Sequence, residues 1–213
     1  MSYPVTLTVE YPERLSRLTT FFRLFMLIPQ AFVLGFISIA AYVILFLSWW
    51  AILFTGRYPE VFFNFITWWL RWYARLYGYS YLLTDKYPPF SGRAEADYPI
   101  TLEVDYPEKL SRLTTFFRFP LIRIPTWTWG GEWSWQIQAT PGMPMAIPHY
   151  VVLAFISIAA LVILFLSWWA ILFIGRYPRV FFDFITWWFR WGMRVTGYVY
   201  LLTDKYPPFS GSE

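Results

Sequence analysis

His149 is the chain's single histidine, and it stands where a long apolar run begins. From a helix end near a membrane interface, an imidazole could ligate a haem or a chlorophyll. An earlier, near-identical stretch carries Gln30 at the matching place, so the competing reading is a capping or interfacial side chain. Arginines supply the second pattern. At about 100° per residue on a helix, Glu60, Asn64, Thr67, Arg71 and Arg75 share one stripe, and Arg179, Asp183, Thr186, Arg190 and Arg194 repeat it. Asn64 with Arg71 or Arg75, and Asp183 with Arg190 or Arg194, could line a path for ions or protons. The plainer alternative is that they tie helices together. An ionised group in hydrocarbon is functional or paired, and the stripe must face protein, water or headgroups, with Asp183 the expected partner in its copy. "TDKYPPF" (84–90) sets an acid, a base and a tyrosine in close order, but its double proline points to a rigid turn rather than catalysis.

Other chemistry is lacking. With 0 cysteines and 1 histidine, thiolate and histidine-rich metal sites are excluded, and no GxGxxG, P-loop, HExxH or GxSxG motif occurs. No enzyme activity and no bound cofactor beyond the His149 option are expected. Composition points elsewhere. The 213 residues are 58% hydrophobic, 24% aromatic and only 14% charged, against about 25% charged in soluble domains. The stretch from Leu24 to Gly56 carries no Asp, Glu, Lys or Arg, and 124–175 is broken only by Glu132. Each exceeds the roughly 20 apolar residues that cross a bilayer. The start, "MSYPVTLTVEYPERL", does not have the form of a cleavable signal. The net charge of +4 suits topology and anionic lipid, with no nucleic-acid partner implied.

The elements that must position these residues are written twice. "YPVTLTVEYPERLSRLTTFFR" (3–23) returns as "YPITLEVDYPEKLSRLTTFFR" (98–118), and "LLTDKYPPFSG" (82–92) returns unchanged at 201–211. The offset grows from 95 to 119, which places a 24-residue insertion at about 119–142 of the second copy. The expected layout is repeat one at 1–92, a linker at 93–97 and repeat two at 98–211. Within a unit, "VTLTVEY" alternates as a short strand and "PERLSRLTTFFR" suits an amphipathic surface helix. An apolar helix follows (about 31–54 and 150–173), "GRYP" breaks the chain, and the striped helix comes next (about 60–76 and 179–195). Alternating Tyr77, Tyr79 and Tyr81 predict a closing strand that pairs with "VTLTVEY".

Matching charges predict the same orientation for both copies, hence an even number of crossings in each. Ten basic residues then fall on the terminal side and three (Arg57, Arg176, Arg179) at the hairpin tips, which sets both termini in the cytoplasm. The expected fold is mainly α and integral to the membrane. It comprises two tandem helical-hairpin repeats, about four membrane helices, with short amphipathic helices and short β-strands on the terminal side. A shallow interfacial hairpin is the alternative to spanning.

The motifs WWAILFxGRYP, Arg71-Trp72 and LLTDxYPPF, with their second copies, resemble those of an uncharacterised family of bacterial membrane proteins, a domain of unknown function. The resemblance covers nearly the whole chain twice and implies a bacterial plasma (inner) membrane location. It supplies no activity, substrate or catalytic residue, and the insertion departs from it.

That insertion holds "TWTWGGEWSW" (126–135), four of the 14 tryptophans. Alternation about Gly130-Gly131 predicts a hairpin. A three-residue turn would pair Trp129 with Trp133 and Trp127 with Trp135 on one face, stabilised by up to about 1 kcal/mol per aromatic pair. Four indoles on an isolated hairpin call for lipid headgroups or a partner subunit to cover them. Two functions remain. The first is a non-catalytic membrane accessory or structural subunit that packs into a larger complex, with the insert as its contact site. The alternative is a transport or lipid-handling protein with an arginine-lined polar path.

Overall fold

The computed structural model describes residues 3–95, 97–118 and 145–212, with the backbone of 126–127 and 133–134. In chain order the elements are β1 (Val5–Val9), α1 (Arg17–Thr55), α2 (Glu60–Ser80), β2 (Ile100–Val104), α3 (Arg112–Phe117), β3 (Thr126–Trp127), β4 (Trp133–Ser134), α4 (Ile147–Ile174) and α5 (Arg179–Val199).

Capping residues set the bounds of α1. The Ser16 hydroxyl accepts from the Thr19 N–H at 3.3 Å, and Gly56, at φ 71°, takes the left-handed conformation that ends the helix. Between them α1 runs 39 residues without a break, roughly 58 Å at 1.5 Å per residue. The separate surface helix and membrane helix expected in copy one are therefore a single element. Pro29 interrupts one hydrogen bond only, and its ring sits on the exposed side. In copy two the same stretch is divided: α3 stops at Phe117, α4 starts at Ile147, and the insertion lies between.

The striped segments are helices, longer than expected. α2 continues to Ser80, into the predicted closing strand, and ends with Leu82 at φ 66°. The Leu83 and Leu82 N–H groups donate back to Gly78 and Tyr79, the paired bonds of a Schellman ending, and Leu201 and Leu202 repeat it after α5. Alternating tyrosines misled because i, i+4 spacing serves a helix as well. Tyr73, Tyr77 and Tyr81 stack in one column, with ring centroids 4.1 and 5.8 Å apart, while Tyr79 turns away to meet Tyr87.

With no closing strand, the first strands of the two copies, VTLTV and ITLEV, pair with each other. β1 and β2 are antiparallel with Leu7 opposite Leu102, which are matching residues of the two copies. A twofold axis therefore passes between them, perpendicular to the sheet. The reciprocal contacts obey it. The Leu15 N–H donates to Gly175 and Leu110 to Gly56; Tyr11 donates to Tyr177 and Tyr106 to Tyr58; Trp49 donates to Thr115 and Trp168 to Thr20. The start of each copy meets the hairpin tip of the other, so α1 and α4 run antiparallel. Antiparallel α1 and α4 could cross a bilayer only in opposite directions, so the even number of crossings expected in each copy does not follow from this pairing.

The exchange also builds the core. β1 packs on α5 and β2 on α2. Gly78 makes the second contact close, since a Cβ there would overlap the Ile100 side chain. α2 turns Arg71 and Gly78 toward the sheet, and Trp69 and Trp72 toward α1, where their indoles donate to Ser38 and Gln30 at 3.0 and 2.7 Å. The layers run sheet, then α2 with α5, then α1 with α4. Val5, Leu7, Ile100 and Leu102 are buried on the inner face of the sheet, and Thr6, Thr8 and Glu103 are exposed on its outer face.

Candidate functional site

The outermost helices are bare on the side facing away from the sheet. On α1 the buried positions Gln30, Leu34, Ala41, Leu45 and Ile52 face α2. The opposite stripe, Phe25, Phe32, Phe36, Ile39, Val43 and Phe54, is 55–70% exposed. On α4 the matching stripe of Phe155, Ile158, Val162, Phe165 and Phe173 is as open. A contiguous apolar surface of this extent marks contact with a membrane or another protein. Among the described residues, α1 and α4 are the two helices long and apolar enough to cross a membrane.

Behind these faces the charges are paired. Arg23, 2% exposed, donates to the Tyr79 carbonyl, to the Thr84 carbonyl at 2.9 Å and to Asp85 at 2.6 Å, and lies 4.3 Å over the Tyr79 ring. Asp85 also accepts from the N–H of Ser16, the cap of α1. One arginine thus joins the start of α1 to the last turn of α2 and the chain just after it, where a cation is favoured. Copy two repeats the node with Arg118, Asp204, Tyr198, Thr203 and Ser111. Burial pushes the Arg118 guanidinium down to about 10, which still leaves it charged at neutral pH. The sequence does not reveal either node: Arg23 and Arg118 are two of its ten terminal-side basic residues. The available signal was the arginine of "LTTFFR" and the aspartate of "LLTD" surviving unchanged in both copies.

The stripe arginines also end on protein. Arg71 Nε donates to the Leu102 carbonyl at 3.0 Å and Arg190 Nε to Leu7 at 2.9 Å, fastening each striped helix to the other copy's strand. Arg75 reaches the carbonyls of Ser91 and Arg93 and lies 3.8 Å from Glu95; Arg194 reaches the Ser210 carbonyl at 3.0 Å. Backbone carbonyls thus take much of the role assigned to Asp183, because the chain after each striped helix folds back along it. Asn64 and Asp183 are exposed at the outer end of the stripe. Asp183 stands with Tyr11, Arg179, Thr186 and Arg190 around an open cleft of about 360 Å³.

His149 is fully buried. Its Nδ1 accepts from the Trp191 indole at 3.2 Å, and its ring stacks on Phe209 at 4.0 Å. Gln30 holds the same place in copy one, accepting from Trp72 at 2.7 Å and donating to the Pro88 carbonyl at 2.5 Å. Once Nδ1 accepts, the neutral ring carries its proton on Nε2. Imidazole and amide both accept from the indole of the striped helix, so His149→Gln is expected to change stability by less than about 1 kcal/mol and to leave the absorption spectrum of the purified protein unchanged. Loss of a visible band in the variant would instead make His149 a pigment ligand.

In the insertion, β3 and β4 pair antiparallel with Trp127 opposite Trp133 and Thr126 opposite Ser134. The hairpin is present, but its register differs from the expected Trp127–Trp135 pairing, since five residues separate the innermost partners where a three-residue turn was predicted. Trp129 and Trp135 lie outside the described residues.

These features define a two-copy, mainly helical protein with two helices long and apolar enough to cross a membrane. Residues 17–92 and 144–211 each match the domain of unknown function DUF4389, and the chain belongs to that family. The matched segments contain the helical hairpins of both copies and exclude β1, β2 and the insertion. No curated protein and no solved structure matches the chain.

Proposed function

We propose that the protein is a non-catalytic membrane subunit of the bacterial inner membrane that packs into a larger assembly, with its termini on the cytoplasmic side. The observation that carries this reading is the division of labour within each copy. The apolar side chains of α1 and α4 face outward, while Arg23, Arg71, Arg75 and their counterparts are consumed in holding elements together. Such charges stabilise a scaffold and are poorly placed to act on a substrate. The insertion supports a contact role, since α1 occupies the matching place in copy one as continuous helix. An addition the fold can omit, rich in the residue type most enriched at binding hot spots, suits a partner. Multi-pass insertion is one way for the apolar faces to meet lipid, and lying along a leaflet is the other.

A second reading, transport or lipid handling, is favoured by the cleft of Arg179, Asp183, Thr186 and Arg190. Mass measurement after extraction in a mild detergent separates the two. Stoichiometric companions, lost when 119–142 is deleted, are expected for the subunit. A lone homo-oligomer that conducts ions or retains lipid would favour the second reading.

A further inference from the structure

We propose that the protein lies along one anionic leaflet, its internal twofold axis parallel to the membrane normal and the bare faces of α1 and α4 sunk among the acyl chains. This rests on the membrane reading above and adds its geometry. A twofold that converts α1 into the antiparallel α4 and α3 is perpendicular to them, as it is to β1 and β2. If the long helices stood across the bilayer, the axis would lie in the membrane plane, and the sheet would sit beside them at mid-depth. Its outer face exposes Thr6, Thr8 and Glu103. A carboxylate near the bilayer centre costs about 3 kcal/mol or more, and open strand edges find no partner in hydrocarbon.

Laying the molecule down removes the conflict. The sheet then faces water, α2 and α5 form a middle layer, and only the apolar stripes enter the leaflet. Both copies meet the same environment, as two sequences with matching charges require. α1, with 39 residues and roughly 58 Å of length, far exceeds a hydrocarbon core of about 30 Å but fits within a plane.

The basic residues identify the lipid. At one end of the helix pair are the exposed Arg14, Arg17 and Arg176, where Arg17 reaches the Phe173 carbonyl at 2.9 Å. At the other are Arg57, Lys109 and Arg112, with Arg112 beside Gly56. A crossing orientation would put equal basic clusters on both sides, which the positive-inside asymmetry opposes. Lying flat places both clusters in a single headgroup layer, where each Lys or Arg favours anionic lipid by about 1 kcal/mol.

The absence of cysteine from the chain (0 of 213 residues) permits a direct test. Glu13→Cys and Glu108→Cys mark the base of each copy, Arg57→Cys and Arg176→Cys the tips, and all four positions are exposed. Each variant is challenged with a membrane-impermeant maleimide in right-side-out and in inverted bacterial vesicles. All four are expected to label in the same vesicle type and to be protected in the other. Glu13 with Arg176 labelling from one side, and Arg57 with Glu108 from the other, would show a crossing molecule and overturn the proposal, leaving the membrane reading intact. The bases labelling from one side and both tips from the other would overturn it too. Recovery of the chain in the soluble fraction without detergent would defeat both readings.

Discussion

Replacing Arg23 or Arg118 by methionine is expected to destabilise the fold by about 3 kcal/mol, the lower end of the range for breaking a buried pair. The side chain is nearly removed from solvent, whereas its carboxylate partner keeps a quarter of its exposure and so recovers some hydration. Two carbonyls, one in the last turn of the striped helix and one in the turn after it, lose a donor in the same step. At roughly 2 to 4 °C per kcal/mol for a chain of this size, thermal unfolding in detergent should fall by about 6 to 12 °C. Arg57→Met, at an exposed tip, is expected to change stability by no more than about 0.5 kcal/mol. Equal effects for Arg23 and Arg57 would show that the node does not hold α1 to α2.

Gly92→Ala and Gly211→Ala are expected to be as damaging or worse. A Cβ at Gly92 would collide with the backbone carbonyl of Trp68, and one at Gly211 with that of Trp187. The obstacle is the main chain of a helix and cannot turn aside as a side chain would, so the cost should reach about 3 kcal/mol, the upper end for overpacking. This is why "PPFSG" closes both copies: the chain must lie flat on the striped helix for Arg75 and Arg194 to reach its carbonyls. Gly35→Ala has nothing within 4 Å and should stabilise α1 by about 0.5 to 1 kcal/mol through helix propensity. Unfolding temperatures of the three variants, measured together, separate crowding from any general intolerance of alanine.

How far the sequence disclosed this structure depended on whether a feature was local. The duplication, the apolar helices, the arginine stripes and the breaks at Gly56 and Gly175 are written in neighbouring residues and were legible. The pairing of β1 with β2 was not, because alternation marks a strand without naming its partner, and two similar strands, VTLTV and ITLEV, suit each other as well as any third. Without that pairing, the antiparallel course of α1 and α4 had no mark in the sequence either. The tyrosines at 77, 79 and 81 fit period two and i, i+4 equally, and packing against Trp188 and Phe189 of the other copy, with centroids 5.1 and 5.3 Å from Tyr81, goes with the helical form. Arg23 was legible as a charge but not as a tie, since its partner Asp85 lies 62 residues away. Asp183 stands out in the sequence as the one acid on its striped helix, while the carbonyls that accept from the stripe arginines carry no mark in a sequence.

The central claim is that the bare faces of α1 and α4 are in lipid while the sheet is in water. Nitroxide labels on cysteines at Val43 and Val162, both 55% exposed, and at Thr6 and Thr101 on the outer face of the sheet, test it in vesicles. Collision with dissolved oxygen reports hydrocarbon, and collision with a water-soluble nickel chelate reports water. High oxygen and low nickel accessibility at 43 and 162, with the reverse at 6 and 101, is the expected result. Nickel accessibility at 43 and 162 equal to that at 6 and 101 would contradict it and put those faces in water.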